Sequence, residues 1–204
     1  MKKLFTPTLL IMFVAVFSNC KNNPNSNTSK SDTTSSSLNK STNSDACVVL
    51  VSHEDSLKYI SKQVAVKGNV EHELVFNVDT LKQMKVATLE NFNVVCQSGA
   101  NTKVNKTCKG VLLRDILEKA VIKQSNHKDR NFYIVAKATD NYKATFSWAE
   151  IFNNPTGDNV YVLFEENGEP IKEQGEMILI CKNDIKTGPR HVYWLNSIDV
   201  KRVD

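Results

Sequence analysis

Cysteine is the residue type in this chain with the widest choice of chemistry, because a thiol can form a disulfide, bind a metal or carry a lipid. The chain has five cysteines, at positions Cys20, Cys47, Cys96, Cys108 and Cys181. No two of them form a C-x-x-C motif, and the four histidines are scattered without the spacing of metal ligands. The sequence therefore does not indicate a zinc site.

The first twenty residues predict export and a lipid anchor at Cys20. Lysines at positions 2 and 3 precede an apolar run from Leu4 to Phe17, which is shorter than the roughly 20 residues of a membrane-spanning helix. The cysteine that follows resembles a bacterial lipobox, in which it becomes the acylated N-terminus. A signal peptide with a chance cysteine and an uncleaved anchor are the alternatives. We expect a signal peptide over residues 1–19 and a lipoprotein of the cell envelope.

Composition separates a tether from a single domain. Residues 20–45 are mostly Ser, Thr, Asn and Lys, which predicts a disordered linker after the lipidated cysteine. Residues 46–204 have the length of one domain. Five of the 26 basic and two of the 22 acidic residues precede Ala46, which leaves the domain with a net charge of only +1. No basic stripe stands out, so we expect the membrane and not nucleic acid as a partner.

An exported domain allows disulfides, and four cysteines remain once Cys20 is lipidated. They permit three full pairings, between which the sequence alone does not choose. Cys96 and Cys108 border one polar loop, which predicts a disulfide between them that would contribute about 3 kcal/mol. Unpaired, inert thiols are the alternative. Cys47 and Cys181 are interpreted as a second bridge or as buried thiols.

The hydrophobic pattern of the domain predicts an α+β fold. Short alternating strands are separated by turns, and the clearest helix runs from Gly110 to Ala120, with apolar residues on one face. Asp79 is predicted to cap a short helix over Thr80–Met84. Ser147 and Glu150 form the capping box of another, Trp148–Phe152. The predicted strands cover Val48–Val51, Gln63–Val70, Glu73–Asn77, Ala87–Cys96, Asn131–Thr139, Tyr142–Phe146, Asn159–Glu165, Met177–Cys181 and His191–Val200.

Five segments together resemble the molybdopterin-binding domain of sulfite oxidase-type proteins. Lys109–Leu117 is similar to the family's G-V-x-L-x-D-L-L helix, and Gly188–Ile198 is similar to its G-x-R-x-V-K-W-L-x-x-I segment. The five segments follow the family's order and cover nearly the whole domain: Val64–Val78, Lys109–Leu117, Asp140–Ser147, Asn167–Ile171 and Gly188–Ile198. The resemblance implies the family's fold, which is mixed short strands with a few short helices.

The resemblance also implies a molybdenum–molybdopterin cofactor and oxygen-atom transfer. Cys96 falls at about the position of the thiolate that binds molybdenum in this family, and a soft thiolate suits that metal. The pterin phosphate would need cations, which the resemblance assigns to Arg190 with Lys186, Lys182 and His191. The chain departs from the family pattern at four places. The family's His and Arg residues before the first strand have no counterpart in Val51–Gln63 apart from His53, and the tryptophan before the G-V-x-L helix is replaced near Cys108. Glu176 follows Gly175, and Tyr193 replaces the lysine of V-K-W-L.

Two functions follow from these observations. The first is a membrane-tethered oxidoreductase in which Cys96 binds molybdenum. The second is a cofactor-free binding module on the same fold that holds a small anion or a partner protein. A disulfide at Cys96 would oppose the first function, because a sulfur in a disulfide cannot bind the metal.

Overall fold

The computed structural model describes residues 53–101 and 104–203. The predicted signal peptide, the predicted lipidation site Cys20, the predicted linker, Cys47 and the predicted strand Val48–Val51 lie outside these residues. Within the described ranges, no helix is both long enough and apolar enough to span a membrane.

In the described part of the chain, ten strands form two five-stranded sheets. The first sheet has the order β2-β1-β10-β5-β6. Its central strand, β10, pairs parallel with β1 and antiparallel with β5. The other two pairings in this sheet are antiparallel. Its strands are β1 (Val64–Gly68), β2 (Leu74–Phe76), β5 (Phe132–Ala138), β6 (Lys143–Ser147) and β10 (Leu195–Arg202).

The second sheet is antiparallel throughout. Its strands run in the order β3-β4-β7-β8, and β9 also pairs with β7. Strand β9 is buried at every position, which is why its sequence is continuously apolar. The strands of this sheet are β3 (Val86–Phe92), β4 (Lys106–Leu112), β7 (Val160–Glu166), β8 (Glu169–Pro170) and β9 (Ile178–Cys181).

The described ranges also contain four short α-helices and two 3-10 turns, of which α1 precedes the first strand. Helix α3 lays a face of four buried residues against the main core, which lies between the two sheets. A smaller apolar cluster, which includes Phe92, Val94 and Cys108, lies under the second sheet. The helices are α1 (His53–Tyr59), α2 (Val78–Lys82), α3 (Leu113–Ala120) and α4 (Trp148–Phe152); the 3-10 turns are Pro155–Asn159 and Gly188–Arg190.

The α+β prediction is confirmed, and so is the predicted start of α4. The Ser147 side chain accepts a hydrogen bond from the Glu150 amide at 3.1 Å, and Glu150 Oε2 accepts one from the Ser147 amide at 2.8 Å. The predicted cap of α2 is wrong by two residues. Asn77, not Asp79, is the N-cap, because its Oδ1 accepts from the Thr80 amide at 3.0 Å.

The helix predicted over Gly110–Ala120 exists, but its predicted start is wrong. The helix begins only at Leu113, and the residues before it belong to β4. Gly110 pairs with Leu163 of β7, and a Cβ atom at this position would lie 2.4 Å from the Val162 carbonyl oxygen. This close approach of two strands explains the glycine and the strand, which the helical periodicity concealed.

Candidate functional site

The loop that carries Cys96 is attached to the segment before the last strand. The Val95 amide donates to Thr187 Oγ1 at 2.9 Å, and the Gly188 amide donates to the Val95 carbonyl oxygen at 2.9 Å. The Lys186 ammonium group donates to the carbonyl oxygen of Gln97. The structure thus brings together the two segments that the sequence predicted to form one site.

Cys96 is buried, with 7% of its surface exposed, and it is part of a disulfide. The predicted bond to Cys108 is wrong, because Cys108 and Cys181 are both free thiols. The disulfide partner of Cys96 therefore lies outside the described residues. Since its sulfur is already bonded, Cys96 is not a thiolate, and in this state it cannot bind molybdenum as the resemblance implied.

Cys108 is held away from the loop by its place in β4. It lies opposite Leu89 on one neighbouring strand and Glu166 on the other, and it is completely buried. Burial, with a smaller contribution from the Glu166 carboxylate, raises the pKa of the Cys108 thiol to about 12. A protonated, inaccessible thiol is inert, so the alternative of a buried, unreactive thiol holds for Cys108.

The Arg190 guanidinium is paired with two carboxylates. Its Nε donates to Asp184 Oδ2 at 2.7 Å, and another nitrogen of the same guanidinium donates to Asp184 Oδ1. A third nitrogen donates to Glu150 Oε1 at 2.9 Å, and the group stacks on the Phe146 ring at 4.5 Å. The hydrogen bonds that Arg190 donates to Asp184 raise the pKa of Arg190 further. Arg190 therefore joins α4, β6 and the last loop.

Burial alone would raise the pKa of the Glu150 carboxyl. The hydrogen bonds that this group accepts from Ser147 and Arg190 outweigh burial and lower its pKa. The Cys181 thiol lies beside the same cluster, with its sulfur 3.2 Å from Asp184 Oδ1. Burial and this contact raise the pKa of Cys181 to about 12. The paired Glu150 carboxylate and the buried Cys181 thiol are consistent with a structural role for this cluster and not with an anion-binding site.

The two predicted lysines do not converge on a phosphate site either. Lys186 is tied to the loop carbonyl described above, and Lys182 is exposed immediately after β9. No lysine or arginine is among the described residues that line the pocket beside the Cys96 loop. Of the four predicted phosphate ligands, only His191 lies in its wall.

The pocket beside the loop has a volume of about 170 Å³ and mostly apolar walls. The His191 and Tyr193 ring centroids lie 4.4 Å apart, and those of Tyr193 and Trp194 lie 6.0 Å apart. Aromatic rings thus form a continuous wall. The described residues that line the pocket are Val94, Asp140, Tyr142, Gly188, His191, Tyr193 and Trp194.

His191 is 5% exposed, and neither of its ring nitrogens has a hydrogen-bond partner. Burial, and then the nearby Lys106 ammonium group, lower its pKa to about 3. The imidazole is therefore neutral at pH 7. Burial and the Glu166 carboxylate raise the pKa of Tyr193 to about 12, so this phenol stays protonated. A neutral imidazole does not act as a cation for a phosphate.

Asp140, Tyr142, Tyr193 and Trp194 were not identified as pocket residues from the sequence. Tyr142 was predicted to begin a strand, but β6 begins only at Lys143. Tyr142 instead closes a turn, because its amide donates to Asp140 Oδ1 at 2.9 Å. The Tyr142 hydroxyl also donates to the Pro189 carbonyl oxygen at 2.7 Å, which brings the turn to the pocket. The density of aromatic residues in Tyr193-Trp194 was the available signal.

A model of the oxidoreductase molybdopterin binding domain matches residues 53–204. The chain belongs to this family. The same fold occurs in the crystal structure of the sulfane dehydrogenase SoxCD from Paracoccus pantotrophus, with a TM-score of 0.54 and 20% sequence identity. That similarity covers 71% of this chain and 40% of the other, so the molybdopterin-binding domain here spans well under half of that protein. No curated protein matches the chain significantly.

The residues of this family member do not fit the family's cofactor in the state described. Molybdenum would need the Cys96 sulfur, which is held in a disulfide. The pterin phosphate would need free cations, but Arg190 is paired with Asp184 and Glu150. The pocket wall offers a carboxylate from Asp140 instead. Family membership therefore establishes the domain type, and the chemistry of the site differs from what the family implies.

Proposed function

We propose that this protein is an exported, lipid-anchored member of the molybdopterin-binding domain family. The proposal rests on the sequence alone, since the structure does not describe the first twenty residues. The evidence is the charged start, the short apolar run and the position of Cys20. Acyl chains on Cys20 would hold the domain at a membrane surface, since each buried methylene contributes about 0.8 kcal/mol.

The lipid anchor is tested by replacing Cys20 with alanine. We expect the wild-type protein to incorporate labelled palmitate and to fractionate with membranes. The C20A variant should lose the label and either become soluble or accumulate as a precursor that keeps its leader. Cys47→Ala is the matched control and should still be labelled. Unchanged labelling and fractionation of C20A would disprove the anchor.

We further propose that the domain binds a ligand at the pocket beside the Cys96 loop without using molybdopterin. The single observation that carries this proposal is the disulfide at Cys96, because it removes the thiolate on which metal binding in the family depends. The pairing of Arg190 with two carboxylates supports it independently. A small anion, one of the ligands expected from the sequence, is not supported by a pocket wall that contains Asp140 and no lysine or arginine among its described residues.

A molybdopterin-dependent oxidoreductase that transfers oxygen atoms is the second candidate. The family match favours it, and the comparisons give no support to a cofactor-free domain. Cys96 also lies in the loop where the resemblance places the metal ligand, and this loop is hydrogen-bonded to the start of the Gly188–Ile198 segment. This function would require that the disulfide be reduced before the cofactor binds.

Metal content decides between the two candidates. The full-length chain should be produced in a bacterial host that synthesises the molybdenum cofactor, and the membrane fraction should be purified with and without a thiol reductant. We expect no stoichiometric molybdenum in either preparation. One molybdenum atom per chain, lost in Cys96→Ala but retained in Cys108→Ala, would establish the oxidoreductase and disprove the cofactor-free domain.

A further inference from the structure

The pocket beside the Cys96 loop combines aromatic walls with a carboxylate. Tyr142, His191, Tyr193 and Trp194 contribute rings, and the last three form a continuous series with centroid distances of 4.4 and 6.0 Å. Aromatic faces carry partial negative charge and attract cations that come within about 6 Å of the ring centroid. The type of wall therefore favours a cationic ligand with apolar substituents.

Asp140 is the one charged side chain among the described residues that line this pocket. Its Oδ1 accepts the Tyr142 amide, which fixes the carboxylate at the turn, and no salt bridge engages it in the described structure. The Lys106 ammonium group, which lowers the pKa of His191, is itself paired with Glu166 at 2.6 Å. The Asp140 charge is thus available to a ligand.

The pocket has room for a compact group. Its volume of about 170 Å³ is close to that of cavities of about 150 Å³ that hold a benzene molecule. A trimethylammonium group with a short substituent is of this size. A molybdopterin, with its fused rings, dithiolene and phosphate, is much larger and is also anionic.

We propose that this pocket binds a small methylated ammonium compound, with the cation against the aromatic wall and the Asp140 carboxylate balancing its charge. The inference rests on the proposed cofactor-free function, because the same space cannot also hold a pterin. It reverses the charge preference expected from the resemblance, because the described residues of the pocket wall include a carboxylate and four aromatic rings but no lysine or arginine.

The first experiment compares choline with 3,3-dimethylbutan-1-ol, which has the same shape and no charge. Isothermal titration calorimetry on the detergent-solubilised mature lipoprotein should give at least about tenfold tighter binding of choline, because only the cation interacts with the ring faces and the carboxylate. Equal affinity for the two compounds, or binding of neither, would overturn the proposal.

The second experiment removes the charge without disturbing the turn. Asp140→Asn keeps an oxygen that can accept the Tyr142 amide and should weaken choline binding about tenfold, as expected for loss of one close charge pair. Glu118→Gln removes an acidic charge from the exposed side of α3 and is the matched control, with unchanged affinity. Equal affinities of D140N, E118Q and the wild type would contradict the assignment of Asp140.

The ligand position is checked by fluorescence. The chain has two tryptophans, and in a Trp148→Phe background the remaining Trp194 lies in the pocket wall. Choline should change the emission of this variant, and the midpoint should agree with calorimetry. An emission that stays constant at saturating choline would place the ligand elsewhere and overturn the site.

Glycerophosphocholine distinguishes a free ammonium compound from a lipid headgroup. Weaker binding of this compound than of choline assigns the pocket to free ligands, because the phosphate would approach Asp140. Equal or tighter binding assigns it to choline headgroups, and both results support the ammonium site. Molybdenum is measured on the same preparation. Stoichiometric metal would disprove the proposed function, whereas absence of both metal and choline binding would disprove this inference alone.

Discussion

Arg190 donates through two of its nitrogens to both carboxylate oxygens of Asp184, six residues earlier in the chain. The fork-shaped guanidinium matches a carboxylate in this geometry, and the third contact, to Glu150, extends the pair to α4. A residue that the sequence assigned to a phosphate is thereby a connection between three parts of the fold.

Replacement of Arg190 should therefore reduce stability and not only binding. We expect Arg190→Ala to lower the free energy of unfolding by about 2–3 kcal/mol, because it leaves Asp184 and Glu150 partly buried without their partner. Arg190→Lys should recover only part of this loss, since an ammonium group cannot form the bidentate contact. Urea unfolding measures both. The exposed Lys182→Ala is the control, and an R190A variant as stable as K182A would refute the structural role.

The pH dependence of stability should reveal His191. Unfolding returns its pKa from about 3 to the ordinary value of about 6.5. Between these values the unfolded chain binds a proton that the folded chain does not, so stability is complete above about pH 6.5 and is lost as the pH falls. The slope should approach ~1.4 kcal/mol per pH unit.

The histidine slope is isolated by comparing variants between about pH 5 and 6.5, above the range in which carboxyl groups titrate. His191→Gln should remove most of the pH dependence in this interval. His127→Gln, at an exposed position, should retain it. If the H191Q and H127Q variants lose stability with falling pH at the same rate, His191 is not buried in its neutral form.

Thiol counting should separate Cys96 from Cys108. In the native protein, Cys108 and Cys181 should resist alkylation because both are buried and have a pKa raised to about 12. Denaturation without a reductant should expose both to the reagent and leave Cys96 unlabelled. Mass spectrometry of tryptic peptides identifies the labelled residues. Labelling of Cys96 in the unreduced, denatured protein would contradict its disulfide, and protection of Cys108 would restore the pairing predicted from the sequence.

Gly175 should tolerate alanine poorly, because two effects add at this residue. Its φ of +87° is unfavourable for any residue with a Cβ, and that atom would lie 2.7 Å from Trp194 Cα. We expect Gly175→Ala to cost roughly 3 kcal/mol or more. Gly168 has a similar φ of +83° but open space around it, so Gly168→Ala should cost only roughly 1–2 kcal/mol. If urea unfolding shows that both variants lose the same free energy of unfolding, the contact with Trp194 does not contribute to the cost.

Local sequence signals predicted the structure correctly where residues close together in the chain determine it. The Ser147–Glu150 capping box is an example, because both of its hydrogen bonds lie within one helical turn. Gly110 shows the opposite case, since its strand conformation depends on Val162, which is remote in the sequence. The helical periodicity correctly predicted a helix beyond residue 113. The predicted helix was extended back to Gly110 because the periodicity contains no information about the contact with Val162.

The site was predicted in position more successfully than in chemistry. The resemblance brought the Cys96 loop and the Gly188–Ile198 segment together, and the hydrogen bonds of Val95 confirm that they are neighbours. The state of each side chain depends on partners that no motif reveals. Asp184 and Glu150 are six and forty residues from Arg190, and the burial of His191 results from packing against Phe92 and Tyr193.

The position of β10 has a consequence for how the chain is made. This strand ends at Arg202 and supplies the centre of the first sheet, between β1 and β5. Until it has been synthesised, the strands on its two sides have no partner through which to join. The first sheet can therefore be completed only after β10 has left the ribosome, whereas the second sheet contains only strands that are synthesised earlier.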